Sequence, residues 1–273
     1  MNSISIKQEE LTHYNDVCKR LKSYKVNDVL GKQGFCYYTT LETFNKIRNN
    51  NWIWISNVAK MNDKDEFIGD DNLNNNKEFY HLLCLSNGDE ESIPMWYMYG
   101  GMDGCGVRIR FTPSVIKILL EDITLYKISS IKKNGEYKAR LMDKKEYTVR
   151  AGWVYYKNNK HSDNCYKLNR KTYLITDYNP SGFYKSNTFI KSHYWEYEKE
   201  FRIVIHNRSG QAYQYIALDL NEVYNRLTFM FGPQLKNYCQ LEDYPNIIEY
   251  NNSRYKKSQL NVIMKQSVVN QCK

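Results

Sequence analysis

The sequence contains no run of 18 or more apolar residues, and its opening stretch, MNSISIKQEELTHYNDVCKR, lacks the basic and apolar regions of an export signal. A membrane span and a secreted form are therefore not expected, and the chain reads as a soluble cytosolic protein without a membrane partner. It also has no CxxC pair. Its seven cysteines are scattered and odd in number, which suits reduced thiols better than a disulfide framework. His161 and Cys165 have the spacing of half a metal site, but no second pair accompanies them, so no metal is expected. Internal repeats are missing.

A length of 273 residues suits one elaborated domain, 1–273, better than two independent ones. Its net charge of +9 is concentrated. Residues 127–191 hold fifteen Lys/Arg and five Asp/Glu, a net of +10, so the remainder is close to neutral. Tyr137, Tyr147, Trp153, Tyr156, Tyr166 and Tyr173 are among the aromatic residues interleaved with those lysines. Cations that neutralise phosphate and rings that stack on unpaired bases suit RNA or single-stranded DNA. The alternative is a solvated, Lys-rich insertion whose tyrosines pack beneath it.

The pattern of the chain predicts a polar helical lead-in over 1–30, then a strand at FCYYTT. Thr40 caps a helix, LETFNKIRN, with Leu41, Phe44 and Ile47 at helical spacing. Strands follow at WIWIS, FYHLLCLS and GVRIRF, and Thr112 with Pro113 starts the apolar helix SVIKILLEDI. Within 127–191, short strands are expected at LYKISSI and WVYY and a loop at NPSG. WEYEKEFRIVI reads as a strong strand, followed by YIALDL, a short helix NEVYNRL, a strand TFMFGP and a last strand near QLNVIMKQS. Many strands, few helices and no βαβ alternation predict an α+β domain with a largely antiparallel or split sheet.

Read as a strand, 195–205 lines Trp195, Tyr197, Phe201, Ile203 and Ile205 along a core face and Glu196, Glu198, Glu200 and Arg202 along the other. Three carboxylates spaced by about 7 Å repel one another unless a cation or a function uses them. Neighbouring carboxylates are also what glycosyl chemistry needs, since negative charge stabilises an oxocarbenium-like transition state. A plain solvent-facing acidic strand is the alternative. FCYYTT supplies Tyr37 and Thr39 on one face and Tyr38 on the other. Ser56 ends WIWIS shortly before Asn62 and Asp63, so hydroxyls and an amide are available to hold a ribose or carboxamide.

In order along the chain, FCYYTT, MNDKDEF, CLS, MWYMYGGMDGCGVRIRF, Lys191 with WEYEKEFRIVI, and FMFGP resemble the bacterial domain-of-unknown-function family 2971, over about Phe35 to Ser267. The sequence departs from the family at Tyr37, where a basic residue is frequent before the tyrosine, and at Lys64, where proline is common. The family in turn is similar to ADP-ribosyltransferases, which hold NAD between two small sheets. That resemblance implies NAD as co-substrate, with Tyr37, Tyr38 and Thr39 on the first strand, Ser56 on the second, and Glu198 and Glu200 as the later acidic pair. Glu200 takes the catalytic place and Glu198 the acceptor side. Asn62 and Asp63 fall to the ribose or to shaping their loop, and Trp96 and Tyr99 to stacking on nicotinamide or adenine or to core packing. Arg202 falls to a phosphate or to a salt bridge with Glu200.

The acceptor implied is RNA or single-stranded DNA, in a toxin-like enzyme of anti-phage defence or of a toxin–antitoxin pair with a neutralising antitoxin partner. A protein acceptor, simple NAD hydrolysis and a non-catalytic nucleic-acid-binding module are the alternatives.

Overall fold

The computed structural model describes residue 30 and residues 33–61, 76–101, 104–131, 137–157, 187–234 and 255–260. The expected lead-in other than the buried Leu30, the NPSG loop, His161, Cys165, Asn62 and Asp63 lie outside those residues. Among the described residues no helix is long and apolar enough to cross a membrane.

The first strand, β1 (Phe35–Thr39), leads through the cap residue Thr40 into helix α1 (Leu41–Asn50). The Thr40 hydroxyl accepts from the Thr43 N–H at 3.2 Å, Phe44 and Ile47 are buried, and Asn51 at φ 55° ends the helix in the left-handed region. Strands β2 (Trp52–Ser56) and β3 (Tyr80–Asn87) follow, then a short helix α2 (Ile93–Tyr99) whose cap is Ser92. Next come β4 (Val107–Phe111) and helix α3 (Pro113–Glu121), capped by Thr112 with proline in its first turn. The basic stretch is woven into the fold. It supplies β5 (Leu125–Ile131), β6 (Tyr137–Leu141), β7 (Tyr147–Trp153), β8 (Tyr155–Lys157) and β9 (Ile190–Ser192). The described chain closes with β10 (Glu200–Asn207), β11 (Tyr215–Asp219), β12 (Thr228–Phe231) and β13 (Tyr255–Lys257).

Seven strands form one sheet in the order β13-β12-β4-β1-β3-β10-β7, antiparallel except for β12 with β13. Four form a second, antiparallel sheet, β2-β11-β5-β6, and β8 pairs with β9 in parallel. The expected α+β class with mostly antiparallel sheets is what is found. Alternation sends Leu83, Leu85, Val107, Ile109, Phe201, Ile203 and Ile205 from the large sheet into one core. Ile53, Ile55, Leu125, Ile216 and Leu218 enter it from the small sheet, and apolar faces of α1 and α3 complete it. The opposite face of the large sheet carries two smaller clusters. One is built on Cys36, Tyr38, Met95 and Trp96, the other on Val58, Leu82, Phe189 and Val204.

Two expected elements differ from the pattern. NEVYNRL is a turn with a single 3-10 turn at Tyr224–Arg226, because the Asp219 carboxylate accepts from the Asn221 N–H at 2.8 Å and draws the backbone into a local turn. WEYEKEFRIVI is a strand only from Glu200. His193–Glu198 forms a 3-10 helix, and Lys199, at φ 45° and ψ 52°, turns the chain into β10. The described last strand is Tyr255–Lys257, ahead of the expected segment, of which Gln259 and Leu260 are described and are not strand.

Candidate functional site

The 3-10 helix and the left-handed turn at Lys199 change how the acidic residues are presented. A period of three replaces the period of two, so Glu196 faces solvent while Glu198 and Glu200 turn inward, each 3% exposed. The acidic face expected along 195–202 is thus replaced by a buried pair, set beneath the non-core face of the large sheet. Burying two carboxylates requires partners.

The partners are two cations and two polar side chains from four separate elements. Arg202, on β10 and fully buried, donates to Glu200 through Nε at 2.6 Å and Nη2 at 3.1 Å. Its Nη1 donates to the Thr188 carbonyl at 2.7 Å, tying β10 to the chain entering β9. Lys191, on β9, places Nζ 2.6 Å from Glu198 Oε2 and 3.5 Å from Glu200 Oε2, and 4.7 Å from the centre of the Trp195 ring. Tyr99, the last residue of α2, donates its hydroxyl to Glu198 Oε1 at 2.6 Å. The Glu200 N–H donates to the Tyr156 hydroxyl at 2.8 Å, and Cys84, opposite Arg202 in the β3–β10 register, bonds to the Glu200 carboxylate.

These environments push the two carboxyl groups apart. Burial alone would raise Glu200, but the Arg202 guanidinium and then Lys191 overcome it and hold the group at about 2. Burial dominates at Glu198 and raises it, helped by the Glu200 charge and opposed by Lys191 and Tyr99. Burial and the neighbouring carboxylates push both tyrosine hydroxyls far up, so Tyr99 and Tyr156 keep their protons. The result is an ionised carboxylate beside a carboxyl that exchanges a proton more readily, both in contact with one lysine. That is the arrangement by which two chemically identical side chains take separate acid and base roles.

Of the residues anticipated from sequence, Glu198, Glu200, Arg202 and Tyr99 come together. The other anticipated residues that are described sit elsewhere. Tyr37 packs against the main core and Thr39 is buried, on the face of β1 opposite Tyr38. Tyr38 lies in the cluster with Cys36, Met95 and Trp96, edge-on to Trp96 at 4.9 Å, with its hydroxyl accepting from the Ser92 N–H at 3.3 Å. Trp96 is fully buried and donates Nε1 to Glu91 at 3.0 Å, so it serves core packing and offers no face for stacking on a ligand. Ser56 belongs to the small sheet, where it pairs with Tyr215. The next residue, Asn57, bridges His81, five positions along β3 from the Ser86 that pairs with Glu200, which separates Ser56 from the glutamates by about 17 Å of strand.

Sequence reasoning gave no role to Lys191, although it stood among the quoted motifs, and it passed over Tyr156 and Cys84 as site members. Lys191 precedes Glu198 by seven residues, and only the turn between them makes that spacing a contact. For Tyr156 no local signal existed.

No curated protein and no solved structure matches the chain. Residues 95–203 match the model of a family described as Protein of unknown function (DUF2971), a shorter span than the motifs suggested. That span holds Tyr99, Tyr156, Lys191, Glu198, Glu200 and Arg202, so the site is built, apart from Cys84, within the stretch that matches this family's model.

Proposed function

We propose that this protein is an NAD-dependent ADP-ribosyltransferase in which Glu198 and Glu200 are the working carboxylates and RNA or single-stranded DNA is the acceptor. The observation that carries the reading is the divergence of the two buried carboxyl groups, one ionised against Arg202 and the other pushed up beside Tyr99. As nicotinamide departs with the electron pair of its glycosidic bond, positive charge develops on the ribose ring, and the fixed negative charge of Glu200 lowers the cost of that state. An acceptor oxygen or nitrogen then bonds to the same carbon and loses its proton to Glu198, whose raised affinity for protons suits a general base. Arg202 holds Glu200 in one rotamer, and Lys191 with Tyr99 holds Glu198. In this scheme a ribose hydroxyl takes over the contact that Tyr99 now makes. The basic character of 127–191 favours a polyanionic acceptor, and an enzyme of this kind serves anti-phage defence or a toxin–antitoxin pair with a neutralising partner.

The test is incubation with NAD labelled in its adenylate half, together with separate pools of RNA, single-stranded DNA and cell protein. Label entering the nucleic-acid pools, abolished by Glu200→Gln and reduced by Glu198→Gln, supports the reading. Label in protein redirects it to a protein acceptor, and nicotinamide release without label transfer redirects it to NAD hydrolysis. Neither label nor nicotinamide release would sink it.

One observation favours a second reading, that of a non-catalytic module. All four carboxylate oxygens of the pair are engaged by Tyr99, Lys191 and Arg202. A closed set of charges of this kind also serves to fix how β9, β10 and α2 are packed. Under that reading Glu200→Gln lowers stability and there is no NAD turnover to lose.

A further inference from the structure

The small sheet has one face in the core and a second face that the proposed chemistry leaves unused. Because Ile53, Ile55, Leu125, Ile216 and Leu218 point inward, alternation directs Trp52, Trp54, Tyr126, Tyr137 and Tyr215 outward. These five rings gather over the buried Ala217. Trp52 stacks on Tyr126 at 4.5 Å and 23°, Trp54 meets Tyr137 edge-on at 4.8 Å, and Tyr215 lies 5.6 Å from Trp54. All five remain half-buried, so ring surface is left open to solvent. Leu141, on the same side of the edge strand, is 57% exposed.

Cations outnumber acids on these four strands. Among the described residues of these four strands the single acid is Asp219, which receives the Tyr126 hydroxyl at 3.4 Å and the Asn221 N–H at 2.8 Å. Lys127 is turned inward to Glu146, whereas Lys138 and Arg140 stand exposed on β6. They occupy the face of that edge strand opposite Tyr137, and their long stems carry the charge to the rim. Half-buried rings on a four-stranded sheet, with cations on its edge strand, present a surface on which unpaired bases stack while phosphates find counter-charge.

The geometry points to this outer face as a binding platform for single-stranded nucleic acid, with Trp52, Trp54, Tyr126, Tyr137 and Tyr215 stacking on bases and Lys138 and Arg140 contacting the backbone. The inference deepens the proposed acceptor class and does not depend on the NAD chemistry. Trp54 and Tyr137 meet at its centre and are not members of the carboxylate site.

The experiment is a titration of the full chain, without NAD, with fluorescently labelled oligouridylate, oligothymidylate and a duplex of the same length. Binding of the single strands with quenching of tryptophan emission, and weaker binding of the duplex, is expected. Trp54→Leu with Tyr137→Leu keeps apolar cover over Ala217 but removes two π faces, and should weaken binding on the order of ten-fold per ring. Lys138→Gln with Arg140→Gln should flatten the dependence of log affinity on log salt by about one unit. Glu200→Gln should bind as the parent does, which separates failure of the platform from failure of the transferase reading. The proposal is overturned if the parent binds no single strand or binds it without quenching, or if the folded leucine variant binds undiminished. Should the leucine variant not fold, an unchanged salt dependence in the glutamine variant overturns it. Occupation of the face by a protein or a second copy, seen as ring protection without any oligonucleotide binding, also overturns it.

Discussion

Arg202 is the residue on which the buried charges depend most directly. It is fully enclosed, its two contacts to Glu200 form a fork, and its third donor reaches a backbone carbonyl. Replacing it by methionine keeps most of the volume but removes the fork to Glu200 and leaves that buried anion only the more distant Lys191 at 3.5 Å, which costs about 3–5 kcal/mol. Urea denaturation of Arg202→Met should show that loss, and the double variant Arg202→Met, Glu200→Met should recover most of it. A double variant no better than the single one would mean that the pair contributes through geometry instead of charge. Tyr99 acts on the other carboxylate. Its hydroxyl donates to the ionised form of Glu198, so Tyr99→Phe should raise the Glu198 pKa further and lower stability by about 2 kcal/mol. Carbon-13 titration of the glutamate side chains reads the first effect directly, and an unmoved Glu198 would contradict the assignment.

At the scale of elements, the passage from the 3-10 helix His193–Glu198 into β10 rests on one unfavourable backbone conformation. Lys199 sits at φ 45°, where a β-carbon crowds the backbone at a cost of about 1–2 kcal/mol. Lys199→Gly removes that crowding at some cost in unfolded-chain entropy, so a gain of up to about 1 kcal/mol is expected, whereas Lys199→Val should lose about 1–2 kcal/mol. Thermal melts of the two variants moving in the same direction would contradict this account. The turn also explains what the sequence could and could not convey. Helices α1 and α3 were legible because Thr40 and Thr112 cap them locally and their apolar spacing is regular. Strands β3, β4 and most of β10 were legible from their apolar runs. The stretch 195–199 was not, since W-E-Y-E-K has the period of a strand while its conformation is set by distant partners. Tyr99, ninety-nine residues away, and Lys191 draw Glu198 inward. The strand YKARL was missed although it alternates apolar and basic residues, its run being only five residues long, and Tyr156 entered the site only through pairing of β8 with β9. Ser56 fell away from the glutamates because neighbours in a motif order need not be neighbours across two sheets, whereas for Trp96 the core-packing alternative is the one found.

For the molecule as a whole, the groups buried on the large sheet answer pH in different ranges. His81 is fully buried where Asn57 bridges β3. Its Nε2 donates to the Tyr213 carbonyl at 3.0 Å, an acceptor shared with Asn57 Nδ2 at 3.1 Å. Burial lowers its pKa from the ordinary 6.5 to about 4. His206, stacked on Tyr80 at 4.3 Å, is also lowered to about 4, by burial and then by Arg150 and Arg208. Both imidazoles take up protons more readily in the unfolded chain. Their contribution to stability is therefore complete above pH 6.5 and is lost as the pH falls toward and through about 4. For His81 that amounts to about 3 kcal/mol, and less for the half-buried His206. Glu200 is depressed to about 2, so its contribution holds across that window and begins to fall only below about pH 4.5. Glu198, raised on folding, works in the opposite sense and softens the decline. Stability should consequently drop between pH 6.5 and 4.5 while the Arg202–Glu200 pair is still intact. His81→Gln, which keeps a donor for the Tyr213 carbonyl and cannot titrate, should flatten that drop when urea midpoints are measured across the range. An undiminished slope in the variant would remove His81 as its source, and a parent protein equally stable at pH 6.5 and 4.5 would remove both histidines.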